Sequence, residues 1–112
     1  MSGPKLARNL SLETPHRVAD GQGGYTEHWE KLGNLWGQVK AGSGRDVSGL
    51  DAEMSRVPLR ITVRAAPQGA PSRPKVGQRF RDGMRVFEIV AVTESRDGSK
   101  YLDCNALEEL AT

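Results

Sequence analysis

Apolar and polar residues alternate with a period of two along most of this chain, and that alternation predicts strands. Over 9–17, Leu10 and Leu12 alternate with Ser11 and Glu13, the mark of a short half-buried strand. The clearest case is Leu59, Ile61 and Val63 set against Arg60, Thr62 and Arg64. Further on, Arg79-Phe80-Arg81 and Met84-Arg85-Val86-Phe87 flank Asp82-Gly83, a dipeptide suited to a tight hairpin turn. The second arm continues through Glu88-Ile89-Val90-Ala91-Val92, where it is apolar on both faces and so predicts a central strand. A turn at Arg96-Asp97-Gly98-Ser99 then leads into a last strand at Tyr101-Leu102-Asp103-Cys104.

Residues 28–40 hold both tryptophans and admit two readings. As a strand, Leu35, Gly37 and Val39 share one face and Trp36, Gln38 and Lys40 the other. As a helix, Trp29, Leu32 and Trp36 would fall on one side, but Gly33 and Gly37 disfavour it. The strand is the better reading. Between these segments, Asp20-Gly21-Gln22-Gly23-Gly24 reads as a turn, because glycine takes positive φ freely. Residues 41–57 form a long polar connection whose last part, 49–56, has room for a helical turn or two with Asp51 as N-cap. The proline-broken stretch 65–78 reads as an extended loop. The expected fold is therefore mainly β: a small barrel or sandwich of five to six short antiparallel strands, with long loops and at most a short helix.

Composition narrows the picture further. With 112 residues the chain suits one domain, 1–112. Leu, Val, Ile and Phe make up only about 21% of it, close to the level at which a core becomes thin. A net charge of +2 does not push the chain towards disorder. Burial between copies, or against a partner, is the expected source of the missing stability. No apolar run has the length of a membrane span, and Met1 to Leu12 has no continuous apolar stretch like a secretory signal, so a soluble cytosolic product is expected. One cysteine, Cys104, cannot form an internal disulfide, and with two histidines it makes a poor zinc set.

Charge is segregated along the chain. Residues 57–81 carry Arg60, Arg64, Arg73, Lys75, Arg79 and Arg81 and no acid, whereas 82–112 is net acidic. Such segments can meet phosphates or form complementary flanks of neighbouring copies.

Few residues suggest catalysis. His16 and His28 flank the 20–24 turn and could face each other across a hairpin, but no carboxylate or thiol has an evident place beside them. Cys104 shares a strand face with Leu102 and Ala106 and reads as a small buried hydrophobe. The Gly21-Gln22-Gly23-Gly24 cluster lacks the lysine and the strand-to-helix context of a phosphate loop. An enzyme is not expected, and no cofactor or metal is implied. A nucleic-acid-binding barrel is the main alternative, since such barrels stack bases on exposed aromatics and hold phosphates with basic side chains. Of the six aromatics, Trp29 and Trp36 are better placed in a core or interface than on a stacking platform.

Taken in order, these elements resemble the head–tail joining (head-closure, or stopper) family of tailed phages. The resemblance rests on several segments: Leu10-Ser11-Leu12-Glu13; the 20–24 turn; the block from Trp29 to Val39; Ser43-Gly44-Arg45-Asp46; the strand Leu59 to Arg64; and the closing unit Phe87 to Val92 with Leu102-Asp103-Cys104. It covers about residues 6–108, with a longer 65–78 link than is usual in the family. It implies a virion protein of a phage or gene transfer agent, assembled in the bacterial cytoplasm and sited at the head–tail junction. There it would form a hexameric or dodecameric ring below the portal and adaptor, above a tail terminator or tail-tube protein. Packaged double-stranded DNA would pass through its channel without sequence-specific contact, and no membrane is involved. It further implies that the 41–56 connection contributes to the gate that retains DNA. The residues singled out for interface or channel are Trp29, Trp36, Arg45, Asp46, Asp51, Glu53, Arg56, Arg60 and Arg64.

Overall fold

A computed structural model describes residues 3–42, 54–95 and 100–111, and every regular element among them is a strand. The strands are β1 (Arg8–Ala19), β2 (Tyr25–Ala41), β3 (Met54–Arg64), β4 (Arg79–Asp82), β5 (Arg85–Glu94) and β6 (Tyr101–Ala111). They pair antiparallel in the order β1-β2-β3-β6-β5-β4, and β4 returns to β1 through Ser11↔Arg81, Leu12↔Phe80 and Glu13↔Arg79, closing a barrel. Closure leaves the barrel wall without a free edge.

The alternation read from the sequence is the inward phase of the barrel. Leu10 and Leu12, Leu59, Ile61 and Val63, Phe80, Phe87 and Ile89, and Leu102, Cys104 and Ala106 form one buried cluster. β2 contributes no large, fully buried side chain. It passes the core at Gly37, where an added Cβ would stand 2.9 Å from Leu10 Cδ1 and 3.2 Å from the Thr62 carbonyl oxygen. The glycine that weakened a helical reading of 28–40 is thus the point at which the strand lies closest to the core.

Three expectations need correction. Apart from β4, the strands are long, 10 to 17 residues, where short ones were expected. The excess in β1 and β2 lies outside the barrel, where no buried face imposes an alternating pattern. The β4–β5 turn is centred on Gly83 and Met84, because Asp82 pairs with Arg85, one residue later than the Asp-Gly reading placed it. The 41–57 connection is shorter than its composition suggested: Ala41 still belongs to β2, and β3 starts at Met54, so 54–56 are extended and not helical. Arg45, Asp46, Asp51 with its cap, Glu53 and the 96–99 turn lie outside the described residues.

Antiparallel order gives the barrel two distinct ends. Arg8, the Gly42 and Met54 ends of the β2–β3 connection, the β4–β5 turn and the last residues of β6 lie at one end. The β1–β2 turn, the 65–78 loop, the end of β5 at Glu94 and the start of β6 at Tyr101 lie at the other. At this second end β1 and β2 run on past the wall. Residues 14–19 and 25–30 pair only with each other, from Thr14↔Glu30 to Ala19↔Tyr25, as a two-stranded arm. The molecule measures 55 × 35 × 22 Å.

Candidate assembly surface

The arm begins at a bulge between Leu12 and Glu13, where the register shifts by one residue. The extra residue is Leu32 of β2, and because a bulge re-aims a strand it separates the barrel part of the β1–β2 pair from the arm. At its tip the Asp20 carboxylate accepts hydrogen bonds from the Gln22 and Gly24 amides, at 2.8 and 3.0 Å. Those two bonds hold the Asp20 carboxyl below its ordinary value, and the left-handed Gly21 and Gly23 complete the reversal. Val18 and Tyr25 stand exposed near the tip, with the Arg17 guanidinium over the Tyr25 ring.

At the arm's root, Trp29 is half-buried and the Arg79 guanidinium lies 4.0 Å from its ring centroid. The same guanidinium donates to Glu13 Oε1 at 2.6 Å, and Arg81 Nη1 stands 3.7 Å from Glu13 Oε2. Glu13 is buried, so its charge has to be met within the fold, and two arginines meet it. Together these contacts fix the angle at which the arm leaves the wall.

The histidines are direct register partners, His16↔His28, on the arm. The expectation that no carboxylate lies beside them is corrected: Glu30 Oε1 pairs with His16 Nε2, because Glu30 faces Thr14, two residues along the same face. No group of three His, Cys, Asp or Glu side chains among the described residues is arranged to hold a metal ion. Cys104 is fully buried, and desolvation pushes its thiol up to about 12, which suits a packing role and not a nucleophile.

A second charged group fills the opposite end of the barrel, and the sequence reading missed it. Arg8 Nη2 donates to Asp82 Oδ2 at 2.8 Å, and Arg85 binds Glu108 with Nε and Nη2, both at 2.8 Å. The pairs feel each other, for Asp82 raises the Arg85 pKa and Arg8 lowers that of Glu108, each behind the larger effect of the Arg85–Glu108 hydrogen bonds. The signal was present: Arg8, Asp82, Arg85 and Glu108 continue the inward phases of Leu10-Leu12, Phe80, Phe87-Ile89 and Leu102-Cys104-Ala106. Charge in that phase marks the place where the core ends.

The segregated charges are largely used inside the subunit. Arg79 and Arg81 turn to Glu13, Glu108 to Arg85, and Arg73 Nη1 donates to the Ala66 carbonyl at 2.8 Å. The outer face of β2–β3 differs. Lys40 and Arg60 are exposed and directly opposite one another, and exposed Arg64 lies over Tyr101 and lines a shallow hollow with Trp36. Trp36 is 56% exposed, so the structure separates the two tryptophans: Trp29 braces the arm and Trp36 stands on the wall. Arg56 is exposed on β3 opposite Glu109 of β6. On the β5–β6 side, a groove of about 660 Å³ is bordered by Trp29, Met84, Val86, Glu88, Leu107 and Leu110.

The site is therefore a surface and not a pocket of chemistry: a closed antiparallel barrel with a projecting arm, paired charges at one end and exposed apolar side chains on its walls. The phage head completion protein family matches residues 1–109, and the chain belongs to that family, which is structural and not enzymatic. A chain in the virion of a native gene transfer agent particle superposes with a TM-score of 0.84 and is 46% identical, covering 98% of this chain and 100% of that one. Protein SF1141 from Shigella flexneri 2a shares the fold, with a TM-score of 0.66 at 19% identity and 96% of each chain covered. No curated protein matches the chain.

Proposed function

We propose that this chain is a head–tail connector of a tailed phage or gene transfer agent particle. A ring of six or twelve copies sits below the portal and adaptor, closes the DNA-filled head and offers the docking surface for the tail. The observation that carries this reading is the family match over 1–109, joined to 46% identity with a virion component along nearly the whole chain.

The architecture agrees with a part that joins two different neighbours. One end of the barrel carries the ends of the 43–53 connection, the other an arm able to reach a second ring. Neither end needs a catalytic group, and the reading assigns none. Residues 43–53, with Arg45, Asp46, Asp51 and Glu53, are assigned to the gate side and the arm to the opposite neighbour. Electron microscopy of purified particles tests the reading. Density for this chain in a ring at the head–tail junction is the expected result, and density in the capsid shell or tail tip would overturn it.

A further inference from the structure

β2 and β5 are diametrically opposed in the barrel: β5 lies three strands from β2 in either direction around it. Their outer faces differ in character. On β2–β3, Lys40 and Arg60 form a like-charge cross-strand pair, an arrangement that is unfavourable unless an anion relieves it. Neither has an ion-pair partner among the described residues. The nearest acid by register, Asp103 on β6, accepts the Thr62 hydroxyl at 2.8 Å. Above this pair the indole of Trp36 and the guanidinium of Arg64 border one hollow.

The β5–β6 face carries the counterpart. Val86 pairs with Arg81, Glu88 is opposite Leu107, and Phe87 is opposite Glu108, so Val86 and Glu88 of β5 share the outer face with Leu107 and Glu109 of β6. Met84 at the rim is 95% exposed, and Leu110, which lines the same groove, is exposed as well. Two arginines lie near the acids by register. Arg79, opposite Glu88, is taken by Glu13 and Trp29, and Arg56, opposite Glu109, makes no ion pair with it among the described residues. Arg85, which also lines the groove, is held by Glu108, so Glu88 and Glu109 keep acceptor capacity beside the apolar side chains of Trp29, Val86, Leu107 and Leu110.

We propose that the β2–β3 face of one copy seats in the β5–β6 groove of a second copy, with Trp36 against the apolar walls and Lys40 and Arg60 meeting Glu88 and Glu109. This rests on the ring reading and specifies its contact. A heterologous contact between opposed flanks propagates head to tail and closes into a ring when the rotation permits. The burial of exposed apolar side chains supplies affinity, and the charges set the register.

Engineered disulfides test the contact in assembled particles. Cys104 is fully buried, so new cysteines report alone. Chains carrying Lys40→Cys or Arg60→Cys together with Glu88→Cys or Glu109→Cys are assembled into particles and oxidised with diamide. At least one of the four pairings should give a ladder of covalent oligomers on non-reducing gels, absent from each single-cysteine chain. As a second measurement, K40E/R60E should lower the yield of tailed particles about ten-fold, and adding E88K/E109K should restore it. The contact is overturned if no pairing gives a ladder in particles whose junction contains the chain. It is equally overturned if K40E/R60E particles assemble with tails but lose DNA, which would assign the basic face to nucleic acid. Absence of the chain from the junction would instead overturn the ring reading.

Discussion

Gly37 has little room to change, since an added Cβ would meet Leu10, Val63 and the Thr62 carbonyl. Its missing side chain is what lets β2 cross Leu10 and the Thr62 carbonyl at van der Waals distance. Gly37→Ala should destabilise the subunit by about 1–3 kcal/mol, through displacement of the fully buried Leu10, as read by denaturant unfolding. Glu108 is constrained electrically. The Arg85 hydrogen bonds hold its carboxyl below the ordinary carboxylate value against the opposing effect of burial. A depressed native value means that the pair's contribution is present above the unfolded pKa and is lost as pH falls through the carboxylate range. Glu108→Gln should therefore be less stable than wild type at neutral pH and show a flatter loss towards acid, which thermal melts across pH 7 to about 3 would resolve. The sequence disclosed Leu10, Ile61 and Phe87 as core through simple alternation. It disclosed Arg8, Asp82, Arg85 and Glu108 only to a reader who follows that alternation past its last apolar residue.

Among the elements, the arm was the least legible. Its alternation carries little burial, since both faces of the arm meet solvent beyond the half-buried Thr14, Pro15 and Trp29 at its root, so the usual hydrophobic signal is absent. The turn at 20–24 and the facing histidines were visible in advance; the bulge at Leu32 of β2 and the Glu30 partner of His16 were not, because both depend on the pairing register of β1 with β2. A lone two-stranded ribbon is marginal in water, and this one is held through its root. Replacing Pro15–Trp29 with Asn-Gly, which joins the paired Thr14 and Glu30 by a two-residue hairpin turn, should leave the barrel folded. The expected sign is retained strand circular dichroism with a modest fall in Tm from the lost Trp29–Arg79 contact. Under the connector reading, tailed-particle yield should fall sharply in the same variant. Unfolding of the isolated subunit would show instead that the arm is part of the core's support.

For the whole molecule, strand order follows from pairing partners far apart in sequence, such as β3 with β6, and no local pattern announces them. The alternation indicated a small antiparallel barrel or sandwich, and closure through Leu12↔Phe80 decided between the two. At this scale the 43–53 connection is the natural place to separate folding from function, because Gly42 N donates to the Pro58 carbonyl at 2.9 Å and its two flanking strands already pair without it. Deleting Gly49 to Glu53 should leave the unfolding midpoint of the subunit nearly unchanged, while particles lose DNA or lack tails, scored by nuclease protection and microscopy. The two-ended barrel has a mechanical consequence as well. Under the connector reading, a push from packaged DNA at one end and the grip of a tail at the other would act across a closed lattice of hydrogen bonds. In such a lattice the bonds of the closed wall share the force in shear. The subunit should then behave as a stiff spacer under compression, with its compliance concentrated in the bulge between Leu12 and Glu13, where the arm meets the wall.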